Sequence, residues 1–588
     1  MARNRYDVDE ELDSPFDIKH LKRCWVYIKR YKRLIITAII LSIVANVSLL
    51  TVPQLLRFII DVGIPNGDRV FIVRNSLLIL LAISVFITLV RFRMKLMNRA
   101  GQSIIADIRV DLYTHLQSLS FNYFDSRPHG KILIRVIQYV NSVTNMLSNG
   151  LIDFILETIN IVLILTFMFA TDWRLALIVL GGLPVFLLIM VIIAPIQRMA
   201  WQDFTNKNAN IGAYAAENID GVKVTQMFCR EEVNKGIFDT LCVKSKNSWM
   251  RAIYFTNISW VSADIISVAI VAIMYGVSVL VFSPPLAFGV ISAMAAYTWR
   301  FWFPIINLSR LINEVISTVA FLERIFELMD EPVEIVDGEG AEPIKEIIGE
   351  VEFDHVMFEY EKGYPILEDL CFTVTPGESI ALVGPTGAGK TTIVNLISRF
   401  YNLTSGAVLI DGQDISNVTL NSLRSQMGIM LQDSFIFSGT VADNVRYGKL
   451  DATMDEIKIA CEAVRANEFI EELPLKYETV LEEGGSNLSQ GEKQLISFAR
   501  TLISNPKILI LDEATSSIDT RTEKLLQEGL EKLLENRTSF IIAHRLSTIK
   551  RCDRILYIAD KGIVEQGNHD DLLAQKGAYY KLYTTHSV

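Results

Sequence analysis

Ile380-Ala381-Leu382-Val383 runs directly into Gly384-Pro385-Thr386-Gly387-Ala388-Gly389-Lys390-Thr391-Thr392, and Ile393-Val394-Asn395-Leu396 follows. The apolar run predicts a buried strand, and the residues after Thr392 predict a helix. Gly384 and Gly389 bracket four residues and precede Lys-Thr, which is the spacing of a phosphate-binding loop. Glycines let backbone N–H groups fold around phosphate oxygens without a side chain in the way. Lys390 is placed to neutralise charge between β- and γ-phosphates, and Thr391 offers a hydroxyl to Mg²⁺. Pro385, Thr386, Gly387, Ala388 and Thr392 complete the expected cradle. The stretch predicts a bound nucleoside triphosphate and leaves open what its hydrolysis drives.

Further along, Ile508-Leu509-Ile510-Leu511-Asp512-Glu513 reads as a second buried parallel strand with an acidic pair at its end. Beside a phosphate loop, Asp512 suits a place on Mg²⁺, and Glu513 suits a general base acting on water. Short β-branched strands alternate with helical patterns through residues 349–588, which predicts an α/β fold. Residues 330–348, rich in Glu, Pro and Gly, read as a linker.

The first half of the chain differs in kind. At 588 residues and 51% hydrophobic, the sequence exceeds one core, and its long apolar runs crowd into the first part. Six runs reach bilayer length: about 34–60, 71–90, 143–170, 173–196, 253–282 and 286–312. Pro53, Pro184 and Pro304 fall inside them, where kinks are tolerated. Lys19, Lys22, Arg23, Lys29, Arg30, Lys32 and Arg33 precede the first run, and Arg91, Arg93, Lys95 and Arg99 follow the second. The positive-inside rule puts both termini in the cytoplasm. Residues 1–33 form a cytoplasmic segment in which 18–31 predicts an amphipathic helix along the inner membrane surface. Residues 34–329 form the membrane domain.

Two loops in that domain are too long for turns and carry helical patterns, Ile104–Leu119 and Asn206–Ile219 among them. Long helices are expected to carry their tips to a cytoplasmic domain. The polar N-terminus gives no cleavable signal peptide. Six scattered cysteines show neither metal nor disulfide spacing, and a net charge of −10 argues against nucleic acid as a partner.

Five further motifs carry a family resemblance. Asn487-Leu488-Ser489-Gln490-Gly491-Glu492-Lys493-Gln494 resembles the signature of ATP-binding cassette (ABC) proteins. Gln432, in Met430-Leu431-Gln432-Asp433, resembles their Q-loop. Asp519, in Ser516-Ser517-Ile518-Asp519, resembles the D-loop, and His544, in Ile542-Ala543-His544-Arg545, the switch histidine. Tyr360, in Val356-Met357-Phe358-Glu359-Tyr360, matches the aromatic that stacks on adenine. Six spans ahead of one such domain resemble an exporter-type half-transporter, over essentially the whole chain.

The resemblance implies two cassettes closing head-to-tail, with ATP between one phosphate loop and the opposing signature. It implies that Ser489 and the Gly491 backbone reach the γ-phosphate, that His544 holds it, and that Gln432 senses Mg²⁺. The family signature reads Leu-Ser-Gly-Gly-Gln, whereas this chain has Leu488-Ser489-Gln490-Gly491-Glu492. Gln490 adds a side chain where backbone approaches phosphate, and Glu492 adds a carboxylate near a polyanion. With the hydrolytic residues complete, that asymmetry favours one half of a heterodimer over a homodimer.

The expected cargo follows from the spans. Tyr297, Trp299, Arg300, Phe301, Trp302 and Phe303 cluster aromatics round one cation, and Trp260 and Asp264 add to them from the fifth run. Such a surface predicts export of amphipathic drugs or lipids by alternating access. Asp264 and Arg300 are also candidates to pair with each other. Import of metal chelates and ATP-gated regulation are the alternatives on the same architecture.

Overall fold

The computed structural model describes residues 18–125, 132, 135–145, 151–281, 286–430, 434–513, 520–543 and 546–586. Gln432, Asp519 and His544 lie outside these described residues, as does the side chain of Glu513. The chain divides into two compact units. A helical unit comprises residues 1–117 and 129–331, and an α/β unit comprises residues 118–128 and 332–588.

In the helical unit, among the described residues, five helical stretches have the length and hydropathy of a membrane span: Lys32–Gly63, Arg69–Ser118, Asp153–Thr171, Trp173–Asp220 and Glu231–Leu280. The sixth expected span falls within helix Phe288–Met329. Only 11% of the most apolar window of Arg69–Ser118 is buried within the protein. Apolar surface left outside a fold on that scale needs lipid as its solvent. Helices Arg69–Ser118 and Glu231–Leu280 each run 50 residues. At 1.5 Å per residue each is about 75 Å long, far beyond a hydrocarbon core of about 30 Å. The loop patterns read at 104–119 and 206–219 are thus continuations of spans.

Tyr297, Phe301, Trp302, Phe186, Met168 and Met274 form the centre of this unit's core. Pro184 lies within the span Trp173–Asp220 but interrupts no helix interior. It occupies the first turn of Leu183–Asp220, after a break at Gly182, where its missing N–H costs no bond. Gly182 is confined by its neighbours, since an added Cβ would lie 2.2 Å from the Ile270 side chain.

The N-terminal helix Ile18–Arg30 forms as expected, and part of its polar face bonds to the helical unit. Arg23 donates to both Asp330 carboxylate oxygens at 2.5 and 2.8 Å and lies 4.2 Å over the Phe326 ring. Arg30 donates to Asp107 and Tyr27 to Asp111, both at 2.9 Å. Lys19, Lys22, Lys29 and Arg30 are exposed together with Trp25 and Val26, the last two at 60% and 63%. Cys24 and Ile28 are the buried apolar residues of this helix.

The α/β unit is built on a six-stranded sheet. Its order is Gly562–Gly567, Arg554–Ala559, Ser379–Val383, Thr538–Ala543, Ile508–Glu513 and Met427–Met430. All neighbours are parallel except the first pair. An antiparallel sheet of Tyr364–Val374, Val351–Glu361, Ser405–Ile410 and Gln413–Asp414 packs beside it. The stretch expected as linker is part of this unit's core edge. Ile344 and Ile347 are buried, and their N–H groups donate to Ser422 and Gln426. Helix Phe121–Asp125 also belongs to this unit, with Tyr401 donating to Asp125 at 2.6 Å and the Phe121 and Phe400 rings 4.4 Å apart.

Candidate nucleotide site

The phosphate loop leaves the sheet at Val383, the buried end of strand Ser379–Val383. Gly384 has φ +143°, and a Cβ there would meet the Ile558 carbonyl oxygen at 2.1 Å. Only glycine fits both the dihedral and the contact. Gly389 has φ +100° and opens helix Lys390–Ile397, so the first N–H groups of that helix point back into the loop.

Lys390 is 9% exposed, and its Nζ donates to the Gly384 and Pro385 carbonyls at 2.9 and 2.8 Å. Burial pushes its pKa below the ordinary lysine range, and the Asp512 carboxylate pulls in the opposite direction. Thr391, Pro385, Thr386 and Gly387 are exposed, whereas Thr392 is buried. Tyr360 reaches the same loop: its hydroxyl and Thr392 Oγ1 are 3.1 Å apart. Its ring is held edge-on by Phe358 at 4.7 Å and Tyr401 at 5.1 Å and remains 41% exposed.

Strand order brings the other candidates to the carboxyl end of the sheet. Thr538–Ala543 lies between the loop strand and Ile508–Glu513, with Ile542 opposite Asp512 and Ala543 opposite Glu513. The carboxyl ends of parallel strands in an open α/β sheet are where ligands bind. The donor set fits a triphosphate with a hard cation: a lysine, a helix N-terminus, a threonine hydroxyl and a carboxylate.

The signature reads differently in the structure than in the sequence. Ser489 is the N-cap of helix Gln490–Ile503. Glu492 Oε2 accepts from the Ser489 backbone N–H at 2.7 Å, and the Glu492 N–H donates to Ser489 Oγ at 3.3 Å. This is a reciprocal capping box, and it gives Glu492 a local structural use. The Ser-x-x-Glu spacing before an apolar run is its sequence signal, which comparison with the family motif alone hides. Gln490 is exposed and Gly491 buried. The same helix is anchored through Arg500, which donates to the Phe435 carbonyl at 2.9 Å and to the Asn444 carbonyl and side-chain oxygen at 2.8 Å each. That ties it to the segment following Gln432.

The aromatic cluster of the last long helix does not form one surface. Tyr297, Phe301 and Trp302 are buried, with Tyr297 donating to the Leu50 carbonyl at 2.7 Å. Trp299 and Phe303 are exposed, and Phe303 meets Trp260 at 6.0 Å between ring centroids. Helical spacing divides neighbours between opposite faces. Asp264 and Arg300 do not pair: Asp264 is exposed, and the Arg300 guanidinium donates to the Leu49 carbonyl at 3.4 Å.

Comparison with known proteins identifies the two units. Residues 35–302 match the ABC transporter transmembrane region, and residues 367–516 match the ABC transporter family. A putative multidrug export ATP-binding/permease protein of Bacillus subtilis, YgaD, is 34% identical over 97% of this chain and 99% of its own. A fatty acid ABC transporter ATP-binding/permease protein of Mycobacterium tuberculosis is 37% identical over 83% of this chain and 77% of its own. A bacterial Atm1-family ABC exporter solved with ATP bound is similar at a TM-score of 0.79 and 26% identity, covering 95% of this chain and 98% of that one. A helical membrane unit joined to a nucleotide-binding α/β unit, with relatives matched almost end to end, makes this chain a member of the ABC transporter family: a membrane exporter that couples ATP hydrolysis to transport.

Proposed function

We propose that the chain exports amphipathic small molecules, drugs or lipids, as one of two paired half-transporters with its ATPase unit in the cytoplasm. What supports the motor assignment is the phosphate loop, where Lys390 is held by the Gly384 and Pro385 carbonyls and feels the charge of Asp512. Lys390 exchanges the Gly384 and Pro385 carbonyls for phosphate oxygens. Gly387, Ala388 and Gly389 supply backbone donors, and Tyr360 stacks on the base. Thr391 and Asp512, with Gln432, hold Mg²⁺, whose contribution when bound is to neutralise the phosphate oxygens. Glu513 takes the proton of the attacking water, and His544 orients the γ-phosphate. Asp519 and the signature residues Ser489, Gln490 and Gly491 face the nucleotide of the opposite subunit.

Pairing with a second copy of this chain is the simpler reading. The case for a partner of different sequence rests on Gln490 crowding phosphate and Glu492 repelling it, and Glu492 is engaged in capping its own helix. The cargo class is supported by the printed names of the multidrug and fatty acid relatives and by the exposed aromatic face of Trp260, Trp299 and Phe303. An importer of metal chelates has no support among these relatives, and the complete set of hydrolytic residue types argues against a regulator that only binds ATP.

Inside-out vesicles containing only this chain test the proposal. ATP-dependent accumulation of a fluorescent amphipath is expected, with Glu513→Gln as the inactive control. ATP-dependent loss of a preloaded metal chelate would instead establish import.

A further inference from the structure

The helical unit holds an ionisable group that sequence reading did not single out. Glu157 lies on helix Leu151–Thr171, whose segment Asp153–Thr171 has the hydropathy of a membrane span. An acid in such a segment is costly and marks a functional position by default. Other acids at the ends of the spans have arginines nearby: Asp61 lies 3.7 Å from Arg57, Asp153 3.8 Å from Arg93, and Asp172 3.8 Å from Arg174. Among the described residues Glu157 has no cation. Its partners are two amides, Asn307 Nδ2 at 3.2 Å on helix Phe288–Met329 and Asn160 Nδ2 at 3.5 Å one turn along its own helix.

That arrangement has a definite chemistry. Each amide donates an N–H to the carboxylate, and each also carries a carbonyl oxygen able to accept. Among the described residues the cluster therefore presents one negative charge and several acceptors, with no positive group bonded to it. Glu157 is half-buried, so part of the carboxylate is open to a partner. Its depth is set by helix geometry. Fourteen residues separate it from Thr171, the far end of the span, which is about 21 Å of helix. Measured against a hydrocarbon core of about 30 Å, Glu157 sits toward the side where Asp153 begins the span. On the proposed topology that is the inner-leaflet side, where an amphipath rests with its head near the interface and its tail in the core.

We propose that Glu157, Asn160 and Asn307 recognise the cationic head of an amphipathic substrate, an organic ammonium in particular. The site rests on the reading of the chain as an amphipath exporter and narrows its cargo to molecules carrying a positive head. A carboxylate with amide carbonyls around it would repel an anionic head of the same chain length.

The test uses the full chain in nanodiscs and three probes with one tail: dodecylamine, which is protonated at neutral pH, dodecanol and dodecanoate. Stimulation of ATP turnover is titrated with each. Wild type is expected to respond to dodecylamine at a concentration about tenfold or more below dodecanol, with dodecanoate weakest, since charge-assisted hydrogen bonds are the strong ones. Glu157→Gln keeps the size and the amide contacts but removes the charge, so the amine and the alcohol should converge in that variant. A Glu157→Gln variant that keeps the amine preference overturns the site, as does a wild type that prefers dodecanoate or shows no headgroup preference. The wild-type order alone decides the matter if the variant fails to fold. Stimulation by dodecanol without amine preference refutes only the cation site, whereas silence to all three probes refutes the amphipath reading as well.

Discussion

The phosphate loop and the signature helix both end in helix N-termini that meet phosphate on the proposed function, yet they are finished in opposite ways. At the loop, Gly389 caps helix Lys390–Ile397 with a left-handed backbone and no side-chain bond, so the helix start is left to a ligand. At the signature, Ser489 and Glu492 satisfy each other's backbone donors before any ligand arrives. The first end is a receptor whose charge, Lys390, is temporarily held by its own loop carbonyls. The second is a preformed surface that presents a partly spoken-for hydroxyl. One subunit thus supplies a site that needs phosphate and a face that only approaches it, which is how two copies can complement each other.

The contrast breaks most severely at the loop. Lys390→Ala is expected to lower ATP turnover by about a hundredfold or more, because it removes the buried charge that faces the developing phosphate charge. Steady-state hydrolysis by the purified protein checks this. Gly384→Ala should destabilise the α/β unit by more than about 3 kcal/mol through backbone strain and collision with the Ile558 carbonyl, read as a loss in thermal unfolding.

At the signature the effects should be smaller and should separate two roles. Ser489→Ala removes the cap and is expected to cost about 1 kcal/mol of stability. Glu492→Gln keeps both capping bonds, so stability should change by less than about 0.5 kcal/mol and turnover by less than about twofold. A large gain in turnover from Glu492→Gln would restore the case for a weakened signature.

A still smaller effect sits away from both termini, on the antiparallel sheet. His355 Nδ1 lies 2.5 Å from Asp369, and that hydrogen bond with the adjacent negative charge raises the His355 pKa above its usual 6.5. Its stabilising contribution is fully present below pH about 6.5 and declines as pH rises through the folded-state value. Asp369→Asn should flatten that slope in a melting-temperature series from pH 5 to 8, with little change at the upper end.

Fold and loop were legible because their signals are local. Gly384, Lys390 and the strand 508–513 announce themselves by spacing, and the membrane runs by length. Long-range partners were not legible. Nothing in Ile18–Arg30 says that Arg23 will find Asp330 or that Arg30 will find Asp107. The segment 330–348 looks like a linker by composition, yet Ile344 and Ile347 dock on the sheet edge. Neighbouring aromatics at 297–303 look like one surface, and helical periodicity divides them. Glu492 was legible through its Ser-x-x-Glu spacing, but the family motif draws attention to what it replaces instead of what it bonds.

The most direct measurement is ATP hydrolysis by this chain purified alone, in nanodiscs, beside Glu513→Gln. Turnover at least about fiftyfold above the variant, with ATP binding preserved in both, is the predicted result for a self-sufficient pair using Glu513 as base. Turnover equal to that of the variant, or appearing only when a different half-transporter is added, would contradict it.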